Sequence, residues 1–187
     1  LLSPREAGLS FDEEGLRRFV PLGVASGIAA LVPGERVLDL FCGVGGCAIG
    51  FASAGKRVVA VELDVGRLAR ARANAAIMGV ADRISFVRGE ALAALSGAPT
   101  LPVFMDPPWG RHRDRTSRYR LADFPLDVCH LLETALASSP LVALKLPWNF
   151  VTDDLHALRA DVEIDDVFHP LLQTRPFVRI ARMRRRA

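Results

Sequence analysis

The alternation of short apolar runs with helical patterns constrains the fold of this chain more than any other feature of its sequence. Residues 64–79 form the clearest helical pattern, which begins at Asp64 as N-cap and ends at Gly79. A second helix is predicted over 125–138. Runs typical of buried strands alternate with these helices, at 36–41, 57–63, 84–89, 102–106 and 141–146. This order predicts a parallel sheet covered on both faces.

The C-terminal part departs from the alternation. Residues 161–169 and 177–184 are two strand patterns with only a loop between them, so they predict a hairpin. The expected fold is α/β and Rossmann-like, with a mostly parallel seven-stranded sheet, helices on both faces and a C-terminal antiparallel hairpin. In such folds ligands bind at the carboxyl ends of the strands, where the strand order switches.

The length of 187 residues is sufficient for one domain with a substantial core. We expect a lead-in with a helix over 1–32 and a single domain over 33–187. No apolar run approaches the roughly 20 residues of a membrane span. Residues 1–15 carry early charges and lack the apolar core of a signal peptide, so a cytoplasmic protein is expected.

The cysteines and histidines show no metal-ligand spacing. Cys42, Cys47 and Cys129 cannot all pair, and none belongs to a CxxC motif. We therefore expect reduced, mostly buried thiols and no bound metal. No pattern indicates an oligomeric state.

Basic residues are clustered, although the formal net charge is only +3. Lys56 and Lys145 are the only lysines, and a GC-rich genome would explain most of the arginine excess. It does not explain five arginines between Arg111 and Arg120, or the cluster within 182–186. Such clusters favour a phosphate-bearing partner, with a solvated loop and a frayed terminus as alternatives. The predicted substrate contacts are Arg111, Arg113 and Arg115.

A glycine-rich loop follows the first strand. In LDLFCGVGGCAIG (38–50), Gly43, Gly45 and Gly46 allow a tight turn and a close approach of a ligand to the backbone. Glu62, at the end of the second strand, is placed to accept hydrogen bonds from both hydroxyls of a ribose. NAD sites and S-adenosylmethionine sites share these features, so the loop alone does not distinguish them.

Asp39 favours one of these two cofactors. Its carboxylate lies just before the glycines, where it would repel a pyrophosphate and attract the ammonium group of S-adenosylmethionine. Glu90, after the third strand, is placed to accept from the adenine amine. The alternative roles are a helix cap for Glu90 and a contact with the N-terminal loop for Asp39. We favour S-adenosylmethionine because these signals occur in the expected order.

The segment VFMDPPWGRHRDR (103–115) predicts the reaction centre. Asp106 ends the fourth strand, and Pro107 and Pro108 have no N–H, so this turn offers only acceptors. The exocyclic amine of a nucleobase requires such acceptors. The Asp106 carboxylate and the Pro107 carbonyl would hold the amine and stabilise the charge that develops during methyl transfer. Trp109 would stack on the base.

At these residues the sequence resembles a known family. Amine-directed methyltransferases carry [DNS]-P-P-[YFW] after the fourth strand, which DPPWG (106–110) matches. Three further segments extend the resemblance to the trimethylguanosine synthases, the guanine-N2 methyltransferases of RNA caps. They are FDEEGLRRFVP (11–21), VLDLFCGVGGCAIGFASAGKRVVAVELD (37–64) and NAAIMGVADRISFVRGEAL (74–92).

The resemblance implies a class I methyltransferase fold, S-adenosylmethionine as cofactor and RNA as partner. The cap enzymes usually have serine at the position of Asp106, where aspartate is commoner in bacterial rRNA and DNA amine methyltransferases. The implied amine and base contacts are Asp106, Pro107 and Trp109. The implied cofactor contacts are Asp39, Gly43, Glu62 and Glu90, and the predicted cofactor set also includes Phe41, Gly45, Leu63, Ala91 and Asp106.

The predicted function is methylation of an exocyclic amine in RNA, with guanine N2 favoured. DNA adenine-N6 or cytosine-N4 methyltransferases use the same motif, but they usually carry a separate target-recognition region, for which 187 residues leave no room. Cytosine-C5 chemistry requires a cysteine nucleophile, which does not follow the prolines. A non-catalytic nucleoside- or RNA-binding module and an NAD-dependent enzyme are the remaining alternatives.

Overall fold

The structure, a computed structural model, describes residues 8–97, 100–110, 118–171 and 174–186. The helices are α1 (Glu13–Arg18), α2 (Leu22–Leu31), α3 (Gly46–Ser53), α4 (Val65–Ile77), α5 (Ala91–Gly97) and α6 (Val128–Ser138). The strands are β1 (Arg36–Leu40), β2 (Arg57–Glu62), β3 (Ile84–Arg88), β4 (Val103–Met105), β5 (Val142–Pro147), β6 (Ala160–Val167) and β7 (Val178–Arg185). None of the helices in these ranges has both the length and the apolar character that crossing a lipid bilayer requires.

The seven strands form one sheet in the order β3-β2-β1-β4-β5-β7-β6. β1 to β5 are parallel, whereas β7 runs antiparallel to both β5 and β6. The predicted mostly parallel sheet with a C-terminal hairpin is therefore confirmed. Because the chain proceeds from β1 outward to β3 and then crosses to β4 on the other side of β1, the strand order switches between β1 and β4.

Local capping explains where two helices begin. The carboxylate of Asp64 accepts a hydrogen bond from the Arg67 N–H at 2.8 Å, which confirms the predicted N-cap of α4. α6 begins at Val128, later than predicted, because Asp127 caps it by accepting from the His130 N–H at 2.9 Å. The N-terminal lead-in, expected to contain one helix, contains both α1 and α2.

Two apolar layers cover the two faces of the sheet. Residues of α2, α3 and α4 build one layer, and residues of α5 and α6 build the other. Successive strand residues enter opposite layers, as Phe104 and Met105 do in β4. Phe104 packs edge to face against Phe51 of α3, with ring centroids 5.2 Å apart. Helices thus cover both faces, and the ends of the strands are left for a ligand.

The arginines of β7 pair with acidic residues of β6. Arg182 contacts Asp165 at 2.6 Å and Glu163 at 2.7 Å, and Arg184 contacts Glu163 at 3.3 Å. Opposite charges on facing strands stabilise a hairpin modestly. The C-terminal arginine cluster therefore has a structural role within the hairpin, which the sequence pattern alone did not reveal.

Candidate functional site

A pocket of about 650 Å³ lies at the carboxyl ends of the central strands. Its volume is typical of small-ligand sites, and it adjoins the switch between β1 and β4, where open α/β sheets bind ligands. Among the predicted site residues, those that line it are Asp39, Phe41, Gly43, Glu62, Leu63, Glu90, Ala91, Asp106, Pro107 and Trp109. Those outside the described residues are Arg111, Arg113 and Arg115.

The loop after β1 makes a sharp turn towards the pocket. Phe41 has a φ of 66°, which is rare for a residue other than glycine. Gly43 also has a positive φ, and a Cβ added there would meet no atom within 4 Å, so its backbone faces open space. Gly45, predicted as a cofactor contact, does not line the pocket. It is the N-cap of α3 with a φ of 96°, and an added Cβ would be only 3.3 Å from Ala71 of α4, so both the backbone conformation and the packing explain a glycine here.

Glu62 connects the end of β2 to this loop. Its Oε2 accepts from the Gly43 N–H and its Oε1 accepts from the Asp64 N–H, each at 2.9 Å. Each carboxylate oxygen retains a further lone pair for a ligand. Glu90 is exposed, and its carbonyl accepts from the Ala94 N–H at the start of α5. Its side chain makes no hydrogen bond to a described residue.

Asp39 is fully buried, and neither of its carboxylate oxygens has a hydrogen-bond partner among the described residues. Burial is the main cause that raises the pKa of Asp39 well above its usual range; the Asp106 carboxylate adds to this shift and Lys145 opposes it. A buried carboxylate without a partner is costly. A cationic group in the adjoining pocket would offset that cost, whereas a pyrophosphate would increase it.

Asp106 is paired with a lysine that sequence reasoning missed. Met105 lies opposite Leu144 in the β4–β5 register, so the next residues, Asp106 and Lys145, emerge side by side. Lys145 Nζ donates to Asp106 Oδ2 at 2.5 Å. The lysine side chain is 5% exposed and the aspartate side chain 20%, so the carboxylate is the more accessible partner. Oδ1 accepts no hydrogen bond from a described residue.

Lys145 also fixes the environment of Trp109. Its Nζ lies 4.9 Å from the centroid of the Trp109 ring, within the range of a cation–π interaction. The ring packs against both apolar layers, and its buried Nε1 has no acceptor among the described residues. Buried donors without a partner are rare in folded proteins, and those that occur are often at functional positions. One ammonium group thus contacts the two side chains predicted to hold an amine and a base.

Two cysteines line the pocket, Cys42 and Cys47. Burial is the main cause that raises the pKa of both thiols well above their usual range. They are therefore protonated and poor nucleophiles at neutral pH. Cys129 is exposed on α6 and does not line the pocket. Within the described ranges, no group of three histidine, cysteine or acidic side chains could hold a metal ion.

We expect Asp39→Asn to stabilise the ligand-free protein at neutral pH by roughly 1–3 kcal/mol, because an amide is also unpartnered at this position but has no charge to desolvate. Because the pKa of Asp39 is raised in the folded state, that state binds more protons than the unfolded state between the two pKa values. Its stability therefore falls as the pH rises through this window.

Urea unfolding at a series of pH values measures this effect. The advantage of Asp39→Asn should shrink as the pH falls towards the ordinary pKa of an aspartate. Equal free energies of unfolding for variant and wild type at every pH would show that Asp39 carries no uncompensated charge.

Residues 34–168 match the family described as RNA cap guanine-N2 methyltransferase. The chain is 34% identical over 135 residues to trimethylguanosine synthase from Saccharomyces cerevisiae, an overlap that covers 67% of this chain and 43% of that protein. It is 42% identical over 67 residues to the 23S rRNA (uracil(1939)-C(5))-methyltransferase RlmD of Shewanella sp. (strain MR-4), which covers 36% of this chain and 15% of that protein. The chain thus spans less than half the length of these curated relatives.

Solved structures agree on the fold. TrmN from Thermus thermophilus is 25% identical with a TM-score of 0.60, over 88% of this chain and 48% of that chain. A SAM-dependent methyltransferase from Agrobacterium tumefaciens is 15% identical with a TM-score of 0.60, over 87% of this chain and 60% of that chain. This chain therefore shares the Rossmann-like architecture of methyltransferases.

Proposed function

Because this chain belongs to the RNA cap guanine-N2 methyltransferase family, we propose that it transfers a methyl group from S-adenosylmethionine to an exocyclic amine in RNA, specifically guanine N2. The observation that carries the proposal is a single pocket with two kinds of acceptor. The unpartnered Asp39 suits a cation, and Asp106 with the donor-free Pro107 suits an amine.

The pocket residues fit S-adenosylmethionine. Asp39 would accept the ammonium group, which removes the cost of its buried, unpartnered carboxylate. Glu62 would accept from the ribose, Gly43 gives the ligand access to the backbone, and Glu90 would accept from the adenine amine. When bound, this cofactor supplies a methyl group on a sulfonium. The side chains proposed for the walls of the cofactor site are Phe41, Leu63 and Ala91.

The amine would be held between Asp106 Oδ1 and the Pro107 carbonyl. Lys145 engages Oδ2, which orients the carboxylate and leaves Oδ1 for the substrate. These fixed acceptors stabilise the positive charge that develops on the amine nitrogen, and Oδ1 takes up the proton that the nitrogen then loses. Because Lys145 lies over one face of Trp109, the base would stack on the other face.

Residues beyond those that hold the cofactor and the amine would position the RNA. Arg111, Arg113 and Arg115 follow Trp109 closely in the sequence, and we assign them to phosphates that flank the base. The lead-in over 1–32 also belongs to the proposed site, since Gly15 and Phe19 line the pocket.

Uracil C5 methylation is the reaction named for the RlmD relatives. The protonation state of the pocket cysteines argues against that reaction here. C5 chemistry requires a thiolate nucleophile. Burial raises the pKa of the pocket thiols of Cys42 and Cys47, so both are held as thiols. Cys129 lies outside the lining. The described residues thus favour amine chemistry.

S-adenosylhomocysteine is expected to bind, and NAD is not, because Asp39 would repel a pyrophosphate. Isothermal titration calorimetry on the purified protein measures both. Glu62→Ala should weaken S-adenosylhomocysteine binding by about 1–3 kcal/mol, since it leaves hydrogen-bonding groups unpaired. Binding of NAD without binding of S-adenosylhomocysteine would overturn the cofactor assignment.

RNA incubated with the protein and methyl-deuterated S-adenosylmethionine should yield labelled N2-methylguanosine, detected by mass spectrometry of the digested nucleosides. The matched control is the double variant Asp106→Ala/Lys145→Met, which removes the acceptor without leaving a buried ammonium unpaired. Its turnover should fall by about 100-fold or more, with S-adenosylhomocysteine affinity retained.

Each other product would contradict part of this proposal. Labelled 5-methyluridine would overturn amine chemistry, and labelled N6-methyladenosine would overturn guanine as the base. A protein that binds S-adenosylhomocysteine but labels no nucleoside in capped, ribosomal or transfer RNA would be a binding module.

A further inference from the structure

Three aromatic residues lie just beyond the paired ends of the neighbouring strands β5, β7 and β6. Pro147 pairs with Val178, and Val178 pairs with Val167. Trp148, Phe177 and Phe168 are the next residues outward from these paired positions, and we call them the aromatic row. Their exposed fractions are 36%, 40% and 43%, which is unusual for three large aromatic side chains at adjacent positions.

One cationic side chain and one further ring lie beside the aromatic row. The guanidinium of Arg175 lies 5.0 Å from the centroid of the Trp148 ring, and the His169 ring lies 6.0 Å from that of Phe177. Arg175 makes no ion pair with a described residue. It differs in this respect from Arg182, whose charge is matched by acids of β6. The aromatic row thus presents ring faces next to a positive charge that the described residues leave uncompensated.

The aromatic row is continuous with the pocket. Phe177 and Val178 line the same pocket as Asp106 and Trp109. Trp148 directly follows the end of β5, the strand that carries Lys145, so the strand that orients the proposed amine acceptor also leads to the aromatic row. A polynucleotide whose target base enters the pocket would therefore have neighbouring nucleotides within reach of these rings.

We propose that the aromatic row binds unpaired nucleotides that flank the methylated base in a single-stranded RNA segment. Exposed aromatic faces bind successive bases by stacking, and an adjacent arginine contributes a cation–π contact or a phosphate contact. Stacking is tolerant of sequence because every base has a π-face. The inference rests on the proposed function for its RNA substrate, and it adds a binding surface outside the pocket.

Trp148→Ala and Arg175→Ala test the aromatic row without altering the pocket. The probe is a fluorescent single-stranded RNA with one guanosine between adenosine flanks, and the measurement is its anisotropy on titration with protein. Each variant should weaken binding, Trp148→Ala by roughly 5- to 100-fold. Trp148→Phe should restore most of the affinity because it retains a ring.

Three controls separate stacking from loss of structure. Leu171→Ala removes a side chain that is 70% exposed and lies between β6 and β7 outside the aromatic row, so it should bind the RNA as the wild type does. An RNA whose flanks are abasic should bind the wild type and Trp148→Ala equally. S-adenosylhomocysteine affinity should be unchanged in every variant.

The proposal is overturned if Trp148→Ala binds the adenosine-flanked RNA as tightly as the wild type. It is also overturned if Trp148→Ala retains RNA affinity but turns a dimer into a monomer on sedimentation, since the aromatic row would then be a contact between copies of the chain. These outcomes are distinct from a failure of the proposed function. A protein that methylates guanosine equally well between abasic flanks and between adenosine flanks would keep the proposed function and contradict the proposal for the aromatic row.

Discussion

The ion pair between Asp106 and Lys145 is the interaction on which the rest of the site depends. Without Lys145, the carboxylates of Asp39, Glu62 and Asp106 would share one pocket with no buried cation among them. Without Asp106, the ammonium of Lys145 would be buried and unpaired, a change that typically costs 3–5 kcal/mol. The pair therefore holds the carboxylate of Asp106, the proposed amine acceptor, in a fixed orientation, and the same ammonium group lies next to Trp109.

Asp39 differs from Asp106, because its carboxylate has no hydrogen-bond partner among the described residues. Together with the positive φ of Phe41, it is a local feature that destabilises the folded chain. Features of this kind persist where function requires them. The pocket thus combines one acid, Asp106, that is paired within the protein with another, Asp39, that has no partner among the described residues.

Local patterns predicted the strands, the Asp64 cap and the position of Asp106 at the end of β4, because each depends on a few consecutive residues. The partner of Asp106 could not be predicted, since it lies 39 residues away and is set by strand register. A single lysine within the apolar run LVALKL was the available signal. The aromatic row likewise depends on the register of three strands.

A double-mutant cycle on the turnover number tests most directly whether Lys145 acts through Asp106. The four proteins are the wild type, Asp106→Ala, Lys145→Met and the double variant, each at saturating cofactor and RNA. Lys145→Met should lower kcat in the wild-type background but cause no further loss once Asp106 is alanine. If Lys145→Met costs the same factor in both backgrounds, Lys145 acts independently of Asp106, and the claim that it orients the amine acceptor is contradicted.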